Sequence, residues 1–314
     1  MANFSSNYNI NIKNMSNILF RADSSSTIGT GHIMRDLVLA QKYAKKGHNI
    51  IFATQNLDGN INEKIVDAGY TLKLLKSNSK KELVKLIKNS KIDLLVIDHY
   101  GIDSKKEQYI KEKTGVKILS FDDTYEKHNC DILLNHNISA DKKRYKGLVP
   151  KGCKLKCGSK YTLLREEFYK EKDKNYKKDP NIKTVFIAMG GADTAELNVK
   201  ILKVLSKFKN IKVNLVTTTA NKNLKKLQTY TQGKEWIDLH INSNKIANLM
   251  KKSDLAIVTP SVTVNEVYFM ELPFIAIQTA DNQEEIYKYL KSKSFLTLKR
   301  FHFTTLTKLL KDII

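Results

Sequence analysis

A short glycine loop near the start of the chain, Gly29-Thr30-Gly31-His32, carries residues that could do chemistry. It follows an apolar segment typical of a β-strand and precedes an amphipathic pattern that predicts a helix. Glycines let backbone N–H groups approach an anion, and the start of a helix adds a favourable dipole. Because the same partial positive charge disfavours imidazolium, we expect His32 to stay neutral and to act as a base near pH 7. The alternative role for His32 is a cap or a group that orients another residue.

Two further loops follow predicted strands and carry acidic and aromatic groups. Asp98 and Tyr100 come at the end of one buried strand, and Asp122 and Asp123 come at the end of the next. Groups at such strand ends can face a ligand, and Asp98 could also orient His32. For both loops, turn capping by the carboxylates is an equally good interpretation of the sequence.

Loops suited to a nucleotide occur in the second half of the chain. Gly190 and Gly191 follow a strand and precede a helix, which offers backbone amides to a diphosphate but lacks the lysine of a P-loop. Ser261 and Val262 open another predicted helix, and Glu266 lies about one turn inside it. A carboxylate at that place can accept both hydroxyls of a ribose. The alternative for Glu266 is an ordinary exposed helix residue.

Strands and helices alternate along the chain, and this order must position the loops. Alternation predicts right-handed crossovers and mostly parallel sheets. Because the series runs twice, we expect an α/β protein of two Rossmann-like domains that face each other across a cleft. The predicted parts are a flexible extension at 1–17, an N-terminal domain at 18–170, a charged linker at 171–180 and a C-terminal domain at 181–314. Ligands of such sheets bind beyond the carboxyl ends of the strands, and Asn282, after the last predicted strand, could reach across the cleft.

The charge of the chain raises the question of nucleic acid. The net charge is +22, but only five of the 54 basic residues are arginine, which leaves 54 − 5 = 49 lysines. Nucleic-acid readers usually use arginine, whose planar fork fits phosphate and base edges. A solvated lysine-rich surface is therefore favoured, and a basic RNA- or nucleotide-binding protein is the alternative from another class. We expect no nucleic-acid partner.

Cysteine content and hydropathy exclude other classes. The three cysteines form no even framework and lack a second Cys or His pair at zinc spacing, so we expect free thiols and no metal. No run approaches the ~18 apolar residues that span a bilayer, and the first 17 residues lack the regions of a signal peptide. The expectation is a soluble cytoplasmic protein without a membrane partner. The sequence does not predict its oligomeric state.

Several segments together are specific enough to indicate a family. In chain order they are FRADSSSTIGTGHIMRDLVLA at 20–40, LLVIDHYGI at 94–102, KTGVKILSFDD at 113–123, MGGAD at 189–193, VNE at 264–266 and NQE at 282–284. Over about residues 18–285 the chain resembles the bacterial UDP-sugar hydrolases of pseudaminic acid biosynthesis. Its glycine loops and Ser-x-x-x-Asn-Glu segment are also shared with the related GT-B glycosyltransferases. The extension before Asn17 lies outside the family pattern, and the segment after Asn282 matches it weakly.

The resemblance implies a GT-B fold and hydrolysis of the bond between the sugar's anomeric carbon and the nucleotide, with inversion and without metal or other cofactor. It implies that His32 is the general base that activates water on a UDP-sugar substrate. Residues implied at the sugar are Gly29, Gly31, Asp98, Tyr100 and Asn282, and those implied at UDP are Gly190, Gly191, Ser261, Val262 and Glu266. The nearest alternative is a GT-B glycosyltransferase or a hydrolysing epimerase that uses the same loops.

Overall fold

The computed structural model describes residues 15–172 and 183–314, in which the chain forms two compact units, Met1–Leu163 and Leu164–Ile314. Most of the predicted extension and most of the predicted linker lie outside the described residues. Each unit contains one parallel sheet with helices between most successive strands. The predicted α/β fold with two Rossmann-like sheets is thereby confirmed.

The first unit is built on a seven-stranded sheet of order β3-β2-β1-β4-β5-β6-β7, in which all neighbours are parallel. Its strands are β1 (Asn17–Ala22), β2 (Asn49–Gln55), β3 (Thr71–Leu75), β4 (Leu94–Asp98), β5 (Lys117–Phe121), β6 (Ile132–Asn135) and β7 (Lys154–Cys157). Its helices are α1 (Gly31–Ala44), α2 (Glu63–Asp67), α3 (Lys80–Asn89) and α4 (Ser104–Thr114). The strand order reverses between β1 and β4, and such a switch point is where doubly wound sheets bind ligands.

Two apolar layers hold this sheet, one on each face. Ile18 and Phe20 of β1 pack in one layer, and Leu19 packs in the other. Successive side chains of a strand point to opposite faces, so a strand covered on both sides is apolar at every position. This explains why the centre of β1, at Ile18–Phe20, and β4 up to Asp98 are continuous apolar runs.

The second unit has a six-stranded parallel sheet of order β10-β9-β8-β11-β12-β13. Its strands are β8 (Thr184–Ala188), β9 (Lys212–Thr217), β10 (Ile237–Ile241), β11 (Leu255–Val258), β12 (Phe274–Ile277) and β13 (Leu296–Leu298). Its helices are α5 (Glu166–Glu171), α6 (Asn198–Leu205), α7 (Leu224–Thr231), α8 (Ile246–Lys251), α9 (Val262–Phe269), α10 (Glu284–Ser292) and α11 (Phe303–Lys311). Here the order reverses between β8 and β11, so the loops after these two strands flank the second switch point.

Candidate active site

His32 is the second residue of α1, at the switch point of the first sheet. Its Nδ1 atom lies 2.7 Å from Oδ1 of Asp98, the last residue of β4. The His32 side chain is 11% exposed and the Asp98 side chain only 2%. The two residues that sequence placed at neighbouring strand ends therefore form a largely buried pair.

Arg35, one helical turn after His32, completes this cluster. Its Nε donates to Asp98 Oδ2 at 2.5 Å, and its Nη2 donates to Oδ1 of the same carboxylate. Burial by itself would raise the pKa of Asp98, but Arg35 and His32 outweigh it and hold that pKa well below its usual range. Burial would likewise lower the pKa of Arg35, yet Asp98 raises it. The pair therefore stays ionised inside the protein.

The ionised state of Asp98 determines which nitrogen of His32 carries the hydrogen. An ionised carboxylate only accepts hydrogen bonds, so the 2.7 Å contact places the hydrogen of His32 on Nδ1. The lone pair is then on Nε2, the nitrogen directed away from Asp98. A neutral imidazole whose second nitrogen is oriented by a carboxylate has the arrangement of a general base.

Tyr100 and Asp123 lie together beside His32. The Tyr100 ring packs edge-on against the His32 ring, with 5.1 Å between centroids, and its hydroxyl donates to Asp123 Oδ1 at 2.9 Å. Arg35 Nη1 donates to the other oxygen of Asp123 at 3.3 Å. Burial, reinforced by the charge of Asp123, raises the pKa of Tyr100, which keeps the hydroxyl protonated. A cavity of about 370 Å³ adjoins this cluster, and its lining includes Arg35, Asp98, Tyr100 and Asp123.

Two buried polar residues near the cluster were not expected from sequence. The carboxylate of Asp36 and both ring nitrogens of His136 have no hydrogen-bond partner within the part of the chain that the structure describes. Burial and the charge of Asp98 raise the pKa of Asp36, whereas burial lowers the pKa of His136 to about 3. His136 is therefore uncharged at neutral pH, and the raised pKa of Asp36 favours its protonated form.

The glycine loop forms a tight turn directly before α1. The Gly29 N–H donates to Ser25 O at 2.8 Å, and the positive φ of +83° at Gly29 lets the chain turn there. Gly31 is the first residue of α1. The loop thus closes on itself and sets the start of the helix that carries His32.

In the second unit, the predicted diphosphate loop follows β8. Gly190 has a φ of +81°, and a Cβ on Gly191 would lie only 2.8 Å from the Thr218 side chain. Asp193 accepts from the backbone N–H groups of Leu197 and Asn198, which ties the loop to the start of α6. These contacts explain why both positions are glycine.

Glu266, the residue predicted to bind the ribose, also lies at the second switch point. Ser261 and Val262 begin α9, and Glu266 is one turn further on. Its side chain is 14% exposed, which contradicts the alternative of an ordinary exposed residue, and Arg165 Nη2 donates to it at 3.3 Å. Burial raises the pKa of Glu266 to about 7, against the lowering effect of Arg165. Asn282 lies exposed in a short 3-10 turn after β12.

The structure therefore brings the predicted residues together in two groups, one in each unit. His32, Asp98 and Tyr100 share one switch point, and the loops holding Gly190 and Glu266 flank the other. Sequence reasoning missed Arg35, although the spacing of three residues after His32 on one helix was a usable signal. None of the helices in residues 15–172 and 183–314 is long and apolar enough to cross a membrane.

Comparisons with known proteins define first the class of fold. MurG of Acinetobacter baumannii, a GT-B glycosyltransferase, superposes with a TM-score of 0.64 at 13% identity, over 95% of this chain and 90% of MurG. The chain thus has the GT-B fold. No family model matches it.

Sequence relatives then define the family. The UDP-2,4-diacetamido-2,4,6-trideoxy-β-L-altropyranose hydrolase of Campylobacter jejuni is 44% identical over 278 residues, which are 88% of this chain and 97% of the relative. The spore coat polysaccharide biosynthesis protein SpsG of Bacillus subtilis is 24% identical over 83% of this chain and 77% of its own length. The chain belongs to the family of the C. jejuni UDP-sugar hydrolase and is an enzyme. The resemblance drawn from its motifs is confirmed.

Proposed function

We propose that this enzyme hydrolyses UDP-2,4-diacetamido-2,4,6-trideoxy-β-L-altropyranose at the anomeric carbon and releases UDP, with His32 as the general base. The observation that carries the proposal is the Asp98–His32 contact of 2.7 Å, which leaves Nε2 as the nitrogen with a lone pair. The substrate is proposed from the C. jejuni relative, which this chain matches over nearly the whole length of the relative. We place the reaction in pseudaminic acid biosynthesis in the cytoplasm, with no nucleic-acid or membrane partner.

The proposed step is direct displacement by water. Nε2 of His32 takes a proton from water as the water oxygen attacks the anomeric carbon, and the bond from that carbon to the diphosphate oxygen breaks. Asp98 stabilises the imidazolium that forms. Attack opposite the leaving group inverts the anomeric configuration. The proton then passes from His32 to solvent, so the enzyme returns to its starting state.

Departure of UDP needs no general acid in this scheme. Diphosphate is a good leaving group when backbone amides and helix starts meet its charge, so we propose that no metal is required. Gly190 and Gly191 with the start of α9 at Ser261 and Val262 would meet the diphosphate, and Glu266 would accept from the ribose hydroxyls. The two carboxyl groups of an ordinary glycosidase are then unnecessary.

At the sugar, the structure refines the roles proposed for the remaining residues. Tyr100 and Asn282 are proposed as walls of the sugar site. Asp98 would act through His32, since both its oxygens already accept from His32 and Arg35. Gly29 and Gly31 would shape the loop that presents His32.

The test is hydrolysis of this UDP-sugar in ¹⁸O-water by the wild type and by His32→Ala and His32→Asn. We expect UDP release with ¹⁸O on the sugar, and a loss of roughly 10²-fold or more in both variants. His302→Ala, which changes an exposed histidine of the second unit, is the matched control and should retain full activity. Label on UDP would mean attack at phosphorus, and sugar on an added acceptor would mean glycosyl transfer. Full activity of both His32 variants would remove His32 as the base.

A further inference from the structure

A second buried histidine network lies on the other side of the β4 end. Nε2 of His99 is 3.0 Å from Oδ2 of Asp23, which follows β1. Arg21 donates to both oxygens of Asp23, at 2.7 and 2.8 Å, and the Gln55 N–H donates to Oδ1 at 2.7 Å. Oδ1 of Asn78 also accepts from Arg21, and Nδ2 of Asn78 lies 3.1 Å from His99 Nε2. The network joins the ends of β1, β2 and β4 and the segment after β3.

The contacts of His99 determine its tautomer. The Gly101 N–H donates to His99 Nδ1 at 2.8 Å, so Nδ1 carries the lone pair and the hydrogen is on Nε2. Burial would raise the pKa of Asp23, but His99 and Arg21 hold it well below its usual range. The Nε2 hydrogen is therefore directed at an anion. His99 and His32 are both paired with buried aspartates but are in opposite tautomers.

We propose that His99 is a positioning residue for the hydrolysis, which rests on the function proposed above. The three consecutive residues Asp98, His99 and Tyr100 alternate in direction: Asp98 contacts the base, His99 anchors to Asp23, and Tyr100 packs on the base again. An anchor in the middle fixes the backbone on both sides. His99 therefore determines where Asp98 and Tyr100 meet the His32 ring.

Gly101 shows how closely this turn is built around the histidine. A Cβ at position 101 would lie 2.8 Å from Cε1 of the His99 ring. The missing side chain lets the Gly101 N–H reach Nδ1 while the opposite edge of the ring reaches Asp23. A histidine is required because it accepts from the next turn with one nitrogen and donates to a distant anion with the other.

Two conservative variants separate these two contacts. In His99→Asn, the amide oxygen can accept from the Gly101 N–H as in an Asx turn, but the side chain is too short to reach Asp23. In His99→Gln, the longer side chain can reach Asp23 but loses the local turn. His99→Ala removes both contacts. A mispositioned base slows turnover more than it weakens binding. We therefore expect kcat to fall by about 10²-fold in His99→Ala, and by less in His99→Asn and His99→Gln, with little change in KM.

A double-mutant cycle with Tyr100→Ala provides the decisive kinetic measurement. If His99 acts through the Asp98–Tyr100 turn, its loss should cost under about 5-fold once Tyr100 is absent, whereas independent sites would multiply their losses. Thermal unfolding of each variant identifies any that fails to fold, and His99→Asn then replaces His99→Ala in the cycle. Multiplying losses would overturn the proposal, as would a change confined to KM.

A spectroscopic test does not depend on turnover. Long-range ¹H–¹⁵N spectra of the histidine rings should show the Nε2–H tautomer for His99 and the Nδ1–H tautomer for His32. In His99→Ala the His32 signals in these spectra and the Tyr100 ring signals in ¹H–¹³C spectra should shift, and in His302→Ala they should not. If the wild type fails to release UDP, the proposed function fails, and these spectra still decide the positioning role. Unchanged His32 and Tyr100 signals in His99→Ala would refute it.

Discussion

Replacing Asp98 with asparagine tests the central contact of the site with little change in shape. The carboxylate accepts from three donors, which are His32 Nδ1 at 2.7 Å, Arg35 Nε at 2.5 Å and Arg35 Nη2. An amide offers one oxygen and adds an NH₂ group that only donates. At least one of the three donors must then face another donor. The amide nitrogen faces either Arg35 Nε or the pair of His32 Nδ1 and Arg35 Nη2, and in the second orientation the hydrogen cannot stay on Nδ1 of His32.

The expected loss follows from that count. When the amide nitrogen faces His32, Nδ1 must accept, the hydrogen moves to Nε2, and the base is lost. A wrong tautomer of this kind costs about 10⁴-fold in a serine protease, and here we expect a loss in kcat of the same size as that of His32→Ala, about 10²-fold or more, or about 2.7 kcal/mol or more. Arg35 also loses its main counter-charge while buried, which costs about 3–5 kcal/mol of stability. Asp123, 3.3 Å from Nη1, should keep this cost near the lower value.

The assay is UDP release under saturating substrate, with denaturant unfolding measured in parallel. Asp131→Asn is the matched control, because Asp131 forms a part-exposed ion pair with Lys111 and should leave kcat within about 2-fold. The double variant with His32→Ala should be no slower than His32→Ala alone, since the two residues act as a unit. A folded Asp98→Asn enzyme that keeps kcat within tenfold of the wild type would refute the assignment of the base.

Three other predictions follow from charges in the two units. Burial would lower the pKa of His128, but Asp122 and Glu107 raise it to about 9, above the ordinary 6.5. The charged His128 ring therefore stabilises the fold by on the order of 3 kcal/mol below pH 6.5, and this stabilisation is lost as the pH rises through 9. Denaturant midpoints that stay level between pH 6.5 and 9, or that fall equally in His128→Gln, would contradict this prediction. Because UDP should bind the ionised form of Glu266, whose pKa is about 7, its Kd in calorimetry should rise towards tenfold per unit as the pH falls below 7. Glu266→Gln should bind weakly and lack this added dependence, and equal pH profiles would argue against the ribose role. Arg35→Lys, which cannot form two parallel bonds to Asp98, should lower kcat at least tenfold, and unchanged kcat would show that the fork is dispensable.

The sequence was sufficient to predict the fold because parallel sheets leave a simple pattern. Strand β1 contains the apolar run Ile18–Phe20 and β4 is apolar until Asp98, and glycines follow the ends of several helices. The C-terminal elements α10, β13 and α11 were not predicted. Strand β13 has only three residues, too few for an alternating pattern, whereas the apolar spacing in α10 and α11 was a usable signal for helices.

The site was predictable in outline but not in its contacts. His32, Asp98 and Tyr100 could be named because each follows a strand, and the carboxyl ends of parallel strands meet at one edge. The contacts of Arg35 with Asp98, and of His99 with Asp23, join residues 63 and 76 positions apart. Such pairings depend on which strands are neighbours, and strand order is decided by packing of the whole sheet. No local pattern could reveal it.

Arg35 connects the folding and the chemistry of the first unit. A carboxylate as buried as Asp98 would, without a cation beside it, take up a proton and cease to orient His32 as an acceptor. Arg35 prevents this because it lies three residues after His32 on the same face of α1, and its guanidinium group reaches the Asp98 oxygen that His32 does not contact. Helix α1 therefore carries the proposed base and also supplies the charge that keeps its Nδ1 hydrogen bonded to Asp98. Any shift of α1 against β4 would disturb both the orientation of His32 and the ion pair of Arg35 with Asp98. The Gly29 turn lies directly before α1, and the His99–Asp23 contact lies directly after Asp98.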